Sequence, residues 1–226
     1  MTAPNARPTS GELGKQVGWE LVIPWLPAPF RALLWSVTLL ECVALFAATE
    51  YCPPGLAQSI VHQLVRSDDP QRTLTHISSL TPMFFAGSIL SIIGSFLRIH
   101  CYNTLGRMFT YELSIRKDHK LITTGVYAIV RHPSYTGAVC SGFGLLLCIL
   151  SPTLWFMTFQ SLFPDPDVKT RMINVFWYTH ISMFVGIVAA VMQRMKNEDA
   201  MLEKNFGEEW KEWARRVPCR LVPWVY

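Results

Sequence analysis

Long apolar stretches separated by short polar segments dominate the hydropathy pattern of this chain. Four stretches approach the roughly 20 apolar residues that a transmembrane helix needs; they are residues 30–50, 83–102, 135–150 and 173–193. This pattern predicts an all-α fold, a polytopic membrane helix bundle with about four spans.

Two shorter apolar patterns add to this bundle. Residues 153–163 are too short to cross a bilayer and predict a re-entrant or interfacial half-helix. Beyond the fourth span, apolar side chains recur at helical spacing at Leu202, Phe206, Trp210 and Trp213. They predict a cytosolic amphipathic C-terminal helix lying on the membrane. Residues 1–29, with several prolines and glycines, are interpreted as a cytosolic tail.

The basic residues are distributed unevenly between the polar segments. If the N-terminus is cytosolic and four spans alternate, 16 of the 20 Lys and Arg residues fall on the cytosolic side. The positive-inside rule favours this orientation, with both termini in the cytosol. It also places residues 119–135 and 194–207 on one membrane face, so we expect them to build a single site.

Composition excludes several other classes of site. Charged residues make up 16% of the chain, against about 25% in an average soluble domain, as expected for a protein that meets lipid. The six cysteines form no C-x-x-C pair, and no H-x-x-x-H occurs, so a zinc or redox site has weak support. A net charge of +4 does not indicate nucleic-acid binding. No glycine-rich dinucleotide motif follows a strand, and no P-loop is evident.

The first polar segment, residues 119–135, predicts a compact loop followed by a helix start. Gly125 permits a turn that other residues resist, and Pro133 suits the first turn of a helix. The free N–H groups of that helix start, with His132 and Tyr135 as additional donors, would suit an anion. The alternative is a simple interfacial anchor, since Tyr and Arg are common at span ends.

The second polar segment continues the fourth span. Arg194 and Glu198 are four residues apart and therefore share one helix face. The plain interpretation is a surface ion pair, worth about a few tenths of a kcal/mol. The position of the pair at the lipid–water boundary, beside the His-Pro loop, favours a functional site.

These motifs together resemble the isoprenylcysteine carboxyl methyltransferase family, and the chain looks like a short fungal-type member. The similarity extends from about Leu97 to the C-terminus and is weakest in residues 151–171. The residues that carry it are Leu97-Arg98, 105–109, 119–127, Arg131-His132-Pro133-Ser134-Tyr135, Glu198-Asp199, Leu202, 206–210 and Arg216-Val217-Pro218.

The resemblance implies methylation of the carboxylate left on a farnesyl- or geranylgeranyl-cysteine after a CaaX tail is trimmed. S-adenosylmethionine would be the cofactor and prenylated CaaX-type proteins the partners, in the endoplasmic reticulum membrane, without metal or nucleic acid. The chain would form one membrane-embedded methyltransferase domain, residues 1–226. Its parts would be a cytosolic tail (1–29), two spans (30–104) and a catalytic region (105–226).

The resemblance also implies roles for individual residues. Arg194 matches the arginine that contacts the acceptor carboxylate. Because a carboxylate with a pKa near 3.5 is already ionised at neutral pH, no general base is assigned. The residues that would hold the cofactor are Glu112, His119, Lys120, Leu121, Ile122, Tyr127, His132, Pro133, Ser134, Tyr135 and Glu198. Glu112 stands where relatives often carry Gln, and Asp199 replaces a common Glu, a change expected to matter little.

Chemical considerations assign parts of the cofactor to these residues. We expect its carboxylate at the helix start with His132 and Tyr135, and its ammonium or ribose hydroxyls at Glu198. Backbone groups of residues 119–122 would meet adenine edges. The Tyr127 ring would face the sulfonium, a cation–π contact worth ~0.5–2 kcal/mol.

Three other functions share part of this pattern. A phospholipid N-methyltransferase would share the cofactor, but Arg194 would be a poor neighbour for an amine acceptor. An NADPH-dependent sterol reductase would want more basic residues than Glu198-Asp199 near its pocket. A non-catalytic membrane scaffold would not need every matching site position to be filled.

Overall fold

The computed structural model describes residues 32, 35–36, 39–40, 42–44, 46–47, 49–65, 81–109, 114, 119–151 and 165–223. Three sequence predictions lie outside these residues: the cytosolic tail at 1–29, the cofactor contact of Glu112 and the half-helix at 153–163. The α-helices with described bounds are α1 (Pro54–Val65), α2 (Pro82–Leu105), α3 (Pro133–Leu150), α4 (Pro166–Phe206) and α5 (Glu208–Arg216). Short 3-10 helices occupy Gly106–Met108 and Gly125–Ala128.

Among the described residues, three helical segments are long and apolar enough to cross a membrane. They are Pro82–Met108, Pro133–Leu150 and Pro166–Phe206, which correspond to the second, third and fourth predicted spans. Of the first predicted span, the described positions from 32 to 47 are helical. The multi-pass, all-α prediction is therefore confirmed for the part of the chain that the structure describes.

Helix α4 is longer than a bilayer requires. Its 41 residues extend for about 62 Å at 1.5 Å per residue, roughly twice the thickness of the hydrocarbon core. The polar stretch from Arg194 to Asp199 therefore continues the same helix beyond its apolar part. This confirms the expectation that the fourth span continues into the second polar segment.

Helices α2 and α3 pack closely at two glycines. A Cβ atom at Gly94 would lie 2.5 Å from the backbone nitrogen of Ser141 and 2.6 Å from the carbonyl oxygen of Gly137. One turn further along α2, Arg98 Nη1 donates to the carbonyl oxygen of Ser134 at 3.3 Å. Small residues of this kind let membrane helices approach backbone to backbone, which fixes the start of α3 against α2.

The described residues belong to two compact units. One comprises the described parts of 91–142 and 185–226; the other comprises those of 28–90 and 143–184. In the second unit, Cys148 Sγ lies 3.6 Å from Ser88 Oγ and 3.7 Å from the carbonyl oxygen of Phe84. The candidate site lies entirely within the first unit.

A hydrophobic cluster in the first unit supports the loop before α3. Cys101, Tyr127, Trp213 and Val217 are buried in it. Trp213, on α5, is 2% exposed and donates from Nε1 to the carbonyl oxygen of Tyr127 at 3.1 Å. The amphipathic C-terminal helix is thus present, but the expectation that this stripe lies on the membrane is wrong for Trp213, which packs into the protein.

Candidate functional site

Buried charged side chains gather where α3 begins and where α4 passes beyond its apolar part. Arg131, His132, Arg194 and Asp199 are all less than 10% exposed. Charged groups are almost never buried so completely unless they are paired, because removal from water is costly. The two polar segments singled out in the sequence are therefore brought together by the fold, and their contacts define the candidate site.

Tyr135 connects Arg194 with Glu198. Arg194 Nε donates to the Tyr135 hydroxyl oxygen at 2.7 Å, and this hydroxyl donates to Glu198 Oε2 at 2.8 Å. Glu198 remains partly open, with 29% of its side chain exposed. A guanidinium and a carboxylate are thereby held at fixed positions around one phenol, through charge-assisted hydrogen bonds that are stronger than neutral ones.

A second network is centred on the carboxylate of Asp199. Oδ1 lies 2.9 Å from His132 Nε2, and Oδ2 lies 3.2 Å from Arg131 Nη1 and 2.9 Å from Arg220 Nε. On the other side of the imidazole, His132 Nδ1 lies 3.9 Å from Glu198 Oε1. His132 is consequently flanked by two carboxylates from consecutive residues of α4.

The backbone N–H groups just before the start of α3 have partners within the protein. Helix α3 does begin at Pro133, as predicted. The backbone N–H groups of Arg131 and His132 donate to the carbonyl oxygens of Cys219 and Arg220, both at 2.9 Å.

The C-terminal segment (residues 217–222) therefore occupies these donors, which were not foreseen to have internal partners. The hydroxyl of Thr136 likewise donates to the carbonyl oxygen of Leu221 at 2.6 Å. The side chains of His132 and Tyr135 face carboxylates of α4 instead of an open anion site. That a cofactor carboxylate binds at this helix start remains a prediction.

The loop before α3 supplies a mixture of core and site residues. Leu121 and Ile122 pack against the buried cluster around Tyr127. The Lys120 backbone N–H donates to Met108 Sδ at 3.2 Å. Gly125 has φ of +62°, a left-handed conformation that confirms the predicted turn. Leu121, Ile122 and the Lys120 backbone therefore make their contacts within the protein.

Three other predicted residues, Pro133, Ser134 and Tyr127, are held by backbone contacts or by packing. Pro133 is among the most completely buried residues, and the Ser134 carbonyl oxygen accepts from Arg98. Tyr127 is also buried in the cluster, where burial raises its pKa, followed by the influence of Cys101. These residues fix the position of α3.

Among the described residues, several buried side-chain polar atoms lack a hydrogen-bond partner, and the Tyr127 hydroxyl is one of them. Two others are His119 Nδ1 and Trp210 Nε1. The His119 ring lies 5.9 Å from the ring of Phe206, and Arg131 lies over the Trp210 ring at 5.6 Å. Buried polar groups are normally satisfied, so these atoms fit a polar ligand such as an adenosine.

The charge state of His119 supports the same interpretation. Burial lowers its pKa below the ordinary value of 6.5, and the negative charge of Glu198 opposes that shift. The imidazole is therefore neutral at neutral pH and can both donate and accept a hydrogen bond. The sequence pattern places Trp210 in an apolar stripe and in the motif that carries the family resemblance, and the indole N–H is the group that could mark it as a site residue.

Fold and site together define a multi-pass α-helical membrane protein with a polar, largely buried site beyond the apolar part of α4. Residues 87–163 match the model of the Isoprenylcysteine carboxyl methyltransferase (ICMT) family. The resemblance inferred from the motifs is thereby confirmed. The matched residues include the loop before α3 and α3 itself, whereas Arg194, Glu198 and Asp199 lie beyond them.

Individual relatives of the chain carry the name of an enzyme of the same kind. The chain is 31% identical over 141 residues to protein-S-isoprenylcysteine O-methyltransferase B of Arabidopsis thaliana, which covers 62% of this chain and 58% of the plant protein. It is 27% identical over 128 residues to the protein-S-isoprenylcysteine O-methyltransferase of Schizosaccharomyces pombe, covering 56% and 44%. With the Saccharomyces cerevisiae protein of that name, it shares 38% identity over 68 residues, covering 29% and 28%. The chain thus spans 58% or less of the length of these relatives.

Proposed function

We propose that the chain is an S-adenosylmethionine-dependent methyltransferase that esterifies the C-terminal carboxylate of a prenylated cysteine. The observation that carries this proposal is the bridge from Arg194 through Tyr135 to Glu198. It holds an anion-binding group and a cation-binding group side by side. The names of the relatives supply the substrate class, and the site supplies chemistry that suits it.

Arg194 is the residue assigned to the acceptor. A guanidinium binds a carboxylate with directional hydrogen bonds. The guanidinium of Arg194 is held at its Nε atom by the hydroxyl of Tyr135. An α-carboxylate is ionised at neutral pH, so the reaction requires orientation and no proton transfer. Holding the nucleophile at a fixed position converts a bimolecular encounter into a reaction within one site.

Glu198 and His132 are the residues assigned to the charged amino group of the cofactor. Glu198 Oε1 and His132 Nδ1 lie 3.9 Å apart. His119 and Trp210 carry the unpartnered polar atoms that suit the nucleoside. When bound, S-adenosylmethionine supplies an electrophilic methyl group on a sulfonium. Glu112, with the other predicted cofactor contacts, remains part of this proposal.

Exclusion of water is the second contribution of the chain. A carboxylate in water is strongly hydrated and therefore a poor nucleophile, and the reaction neutralises charge, so a dry site favours it. Arg131, His132 and Asp199 form a buried, internally paired wall. We propose that the prenyl chain reaches the site through lipid, in the endoplasmic reticulum membrane, with both termini cytosolic. The positive-inside charge distribution supports that orientation.

The proposal is tested by supplying isolated membranes with labelled S-adenosylmethionine and N-acetyl-S-farnesyl-cysteine. We expect a base-labile methyl ester on this acceptor and none on its carboxamide analogue, which lacks the nucleophilic oxygen. Membranes carrying Arg194→Ala serve as the control for host activity. Label found on phosphatidylethanolamine instead, or no label on any acceptor, would refute the proposal.

A further inference from the structure

Asp199 is the best-connected buried acid of the site, although no role for it was expected from the sequence. It is 4% exposed, and its carboxylate contacts groups from three parts of the chain. Oδ1 accepts from His132 Nε2 at 2.9 Å beside the start of α3, while Oδ2 contacts Arg131 at 3.2 Å and Arg220 at 2.9 Å. Oδ1 thus contacts the imidazole, whereas Oδ2 contacts the two guanidinium groups.

The two arginines neutralise the charge of Asp199, which leaves Oδ1 to orient His132. In the neutral imidazole, one ring nitrogen carries the proton and the other accepts. Of the two neutral tautomers, donation from Nε2 to Oδ1 favours the one with the proton on Nε2 and the acceptor at Nδ1. That lone pair is directed to the side of Glu198, whose Oε1 is 3.9 Å away.

Two acceptors at this separation cannot bond to each other, but they can share a donor. Tyr135 already donates to Glu198 Oε2, so Oε1 is the oxygen that faces His132. A primary ammonium carries three N–H donors and a positive charge, which suits a carboxylate and an imidazole acceptor together. A carboxylate ligand, in contrast, would be repelled there.

We infer that Asp199 is a positioning residue: it orients His132 so that His132 Nδ1 and Glu198 Oε1 together bind the ammonium group of the cofactor. This inference rests on the proposed function and deepens it. Asp199 itself does not touch the cofactor. Its replacement therefore weakens only the part of cofactor affinity that depends on the amino group.

Asp199→Asn is the first test variant. An amide has one acceptor oxygen and one donor nitrogen, so it cannot accept from His132 and from the arginines at once. S-adenosylhomocysteine and its analogue without the amino group are the two probes, titrated calorimetrically into the purified full chain in nanodiscs. We expect Asp199→Asn to weaken binding of S-adenosylhomocysteine at least tenfold and binding of the analogue less than twofold.

Two further variants separate positioning from folding. Asp199→Glu keeps both acceptor oxygens and should stay within threefold of the unaltered protein, even if its melting temperature falls as much as that of Asp199→Asn. His132→Gln retains an amide donor near the position of Nε2 but loses the Nδ1 acceptor. It should therefore reproduce the selective loss and keeps the inference testable if Asp199→Asn fails to fold.

Arg220→Ala is the matched control, because it removes a partner of Oδ2 and leaves the bond from His132 to Oδ1. It should change the affinity for either probe less than threefold. Equal losses for the two probes in Asp199→Asn and His132→Gln would overturn the positioning role. Failure of the unaltered protein to bind S-adenosylhomocysteine would instead overturn the proposed function, and the inference with it.

Discussion

At the scale of single residues, Tyr135 has the most unusual position, since one phenol serves both an arginine and a carboxylate. Its hydroxyl accepts from Arg194 and donates to Glu198. The sequence predicted that these residues meet but not how the bonds are shared among them. Each belongs to a different turn of helix. Small differences in the distance between two helices decide which side chains form hydrogen bonds across them.

Tyr135→Phe is expected to impair both substrates. It removes two hydrogen bonds to charged groups, each worth about 1.5–3 kcal/mol, so kcat/KM should fall at least about tenfold for the acceptor and for the cofactor. Steady-state kinetics on the purified chain measure both values. Tyr178→Phe is the matched control, because Tyr178 is 71% exposed and should be unaffected. Unchanged kcat/KM values in Tyr135→Phe would contradict the role of the Tyr135 hydroxyl between Arg194 and Glu198.

His119 predicts a dependence of stability on pH. Because burial lowers its pKa below 6.5, the unfolded chain takes up this proton at a higher pH than the folded chain. The contribution of His119 to stability is therefore lost as pH falls from about 6.5 toward the lower folded pKa. His119→Gln should flatten this part of a melting temperature profile measured between pH 7.5 and 5.

The control for this profile is His62→Gln, since His62 is exposed on α1. It should leave the slope as it is in the unaltered protein. An identical slope in His119→Gln and the unaltered protein would show that another group is responsible.

At the scale of helices, the sequence was informative about spans and uninformative about contacts between distant segments. Hydropathy located α2, α3 and α4, and Pro133 located the start of α3. The C-terminal segment, by contrast, bonds to Arg131 and His132 through its carbonyl oxygens. Backbone carbonyls leave no trace in side-chain patterns, so this contact could not be predicted.

The close approach of α2 and α3 predicts a strong effect at Gly94. A methyl group there would meet backbone atoms of Ser141 and Gly137, which cannot move aside as a flexible side chain can. Gly94→Ala should cost about 1–3 kcal/mol, as overpacking commonly does, and lower the melting temperature. Fluorescence-detected thermal unfolding in nanodiscs measures this change.

Gly186→Ala on α4 is the matched control. A Cβ at Gly186 meets nothing within 4 Å, and Ala favours helix over Gly. Its melting temperature should therefore be unchanged or higher. A Gly94→Ala protein as stable as the Gly186→Ala protein would contradict the packing described here.

At the scale of the whole molecule, charge sidedness was the most useful signal in the sequence. It placed residues 119–135 and 194–207 on one membrane face before any contact was known, and the fold brings their side chains together in one unit. The charge distribution could not reveal which polar groups have hydrogen-bond partners within the protein. The C-terminal segment accepts from the backbone N–H groups of Arg131 and His132, and carboxylates of α4 contact the imidazole of His132 and the hydroxyl of Tyr135.

The central claim is that one site divides its work between Arg194 for the acceptor and Glu198 for the cofactor. Steady-state kinetics of Arg194→Ala and Glu198→Gln, with both substrates varied, test this claim most directly. We predict that Arg194→Ala raises the KM for N-acetyl-S-farnesyl-cysteine at least tenfold and changes that for S-adenosylmethionine less than threefold, and that Glu198→Gln does the reverse. Equal effects on both substrates in each variant would contradict it.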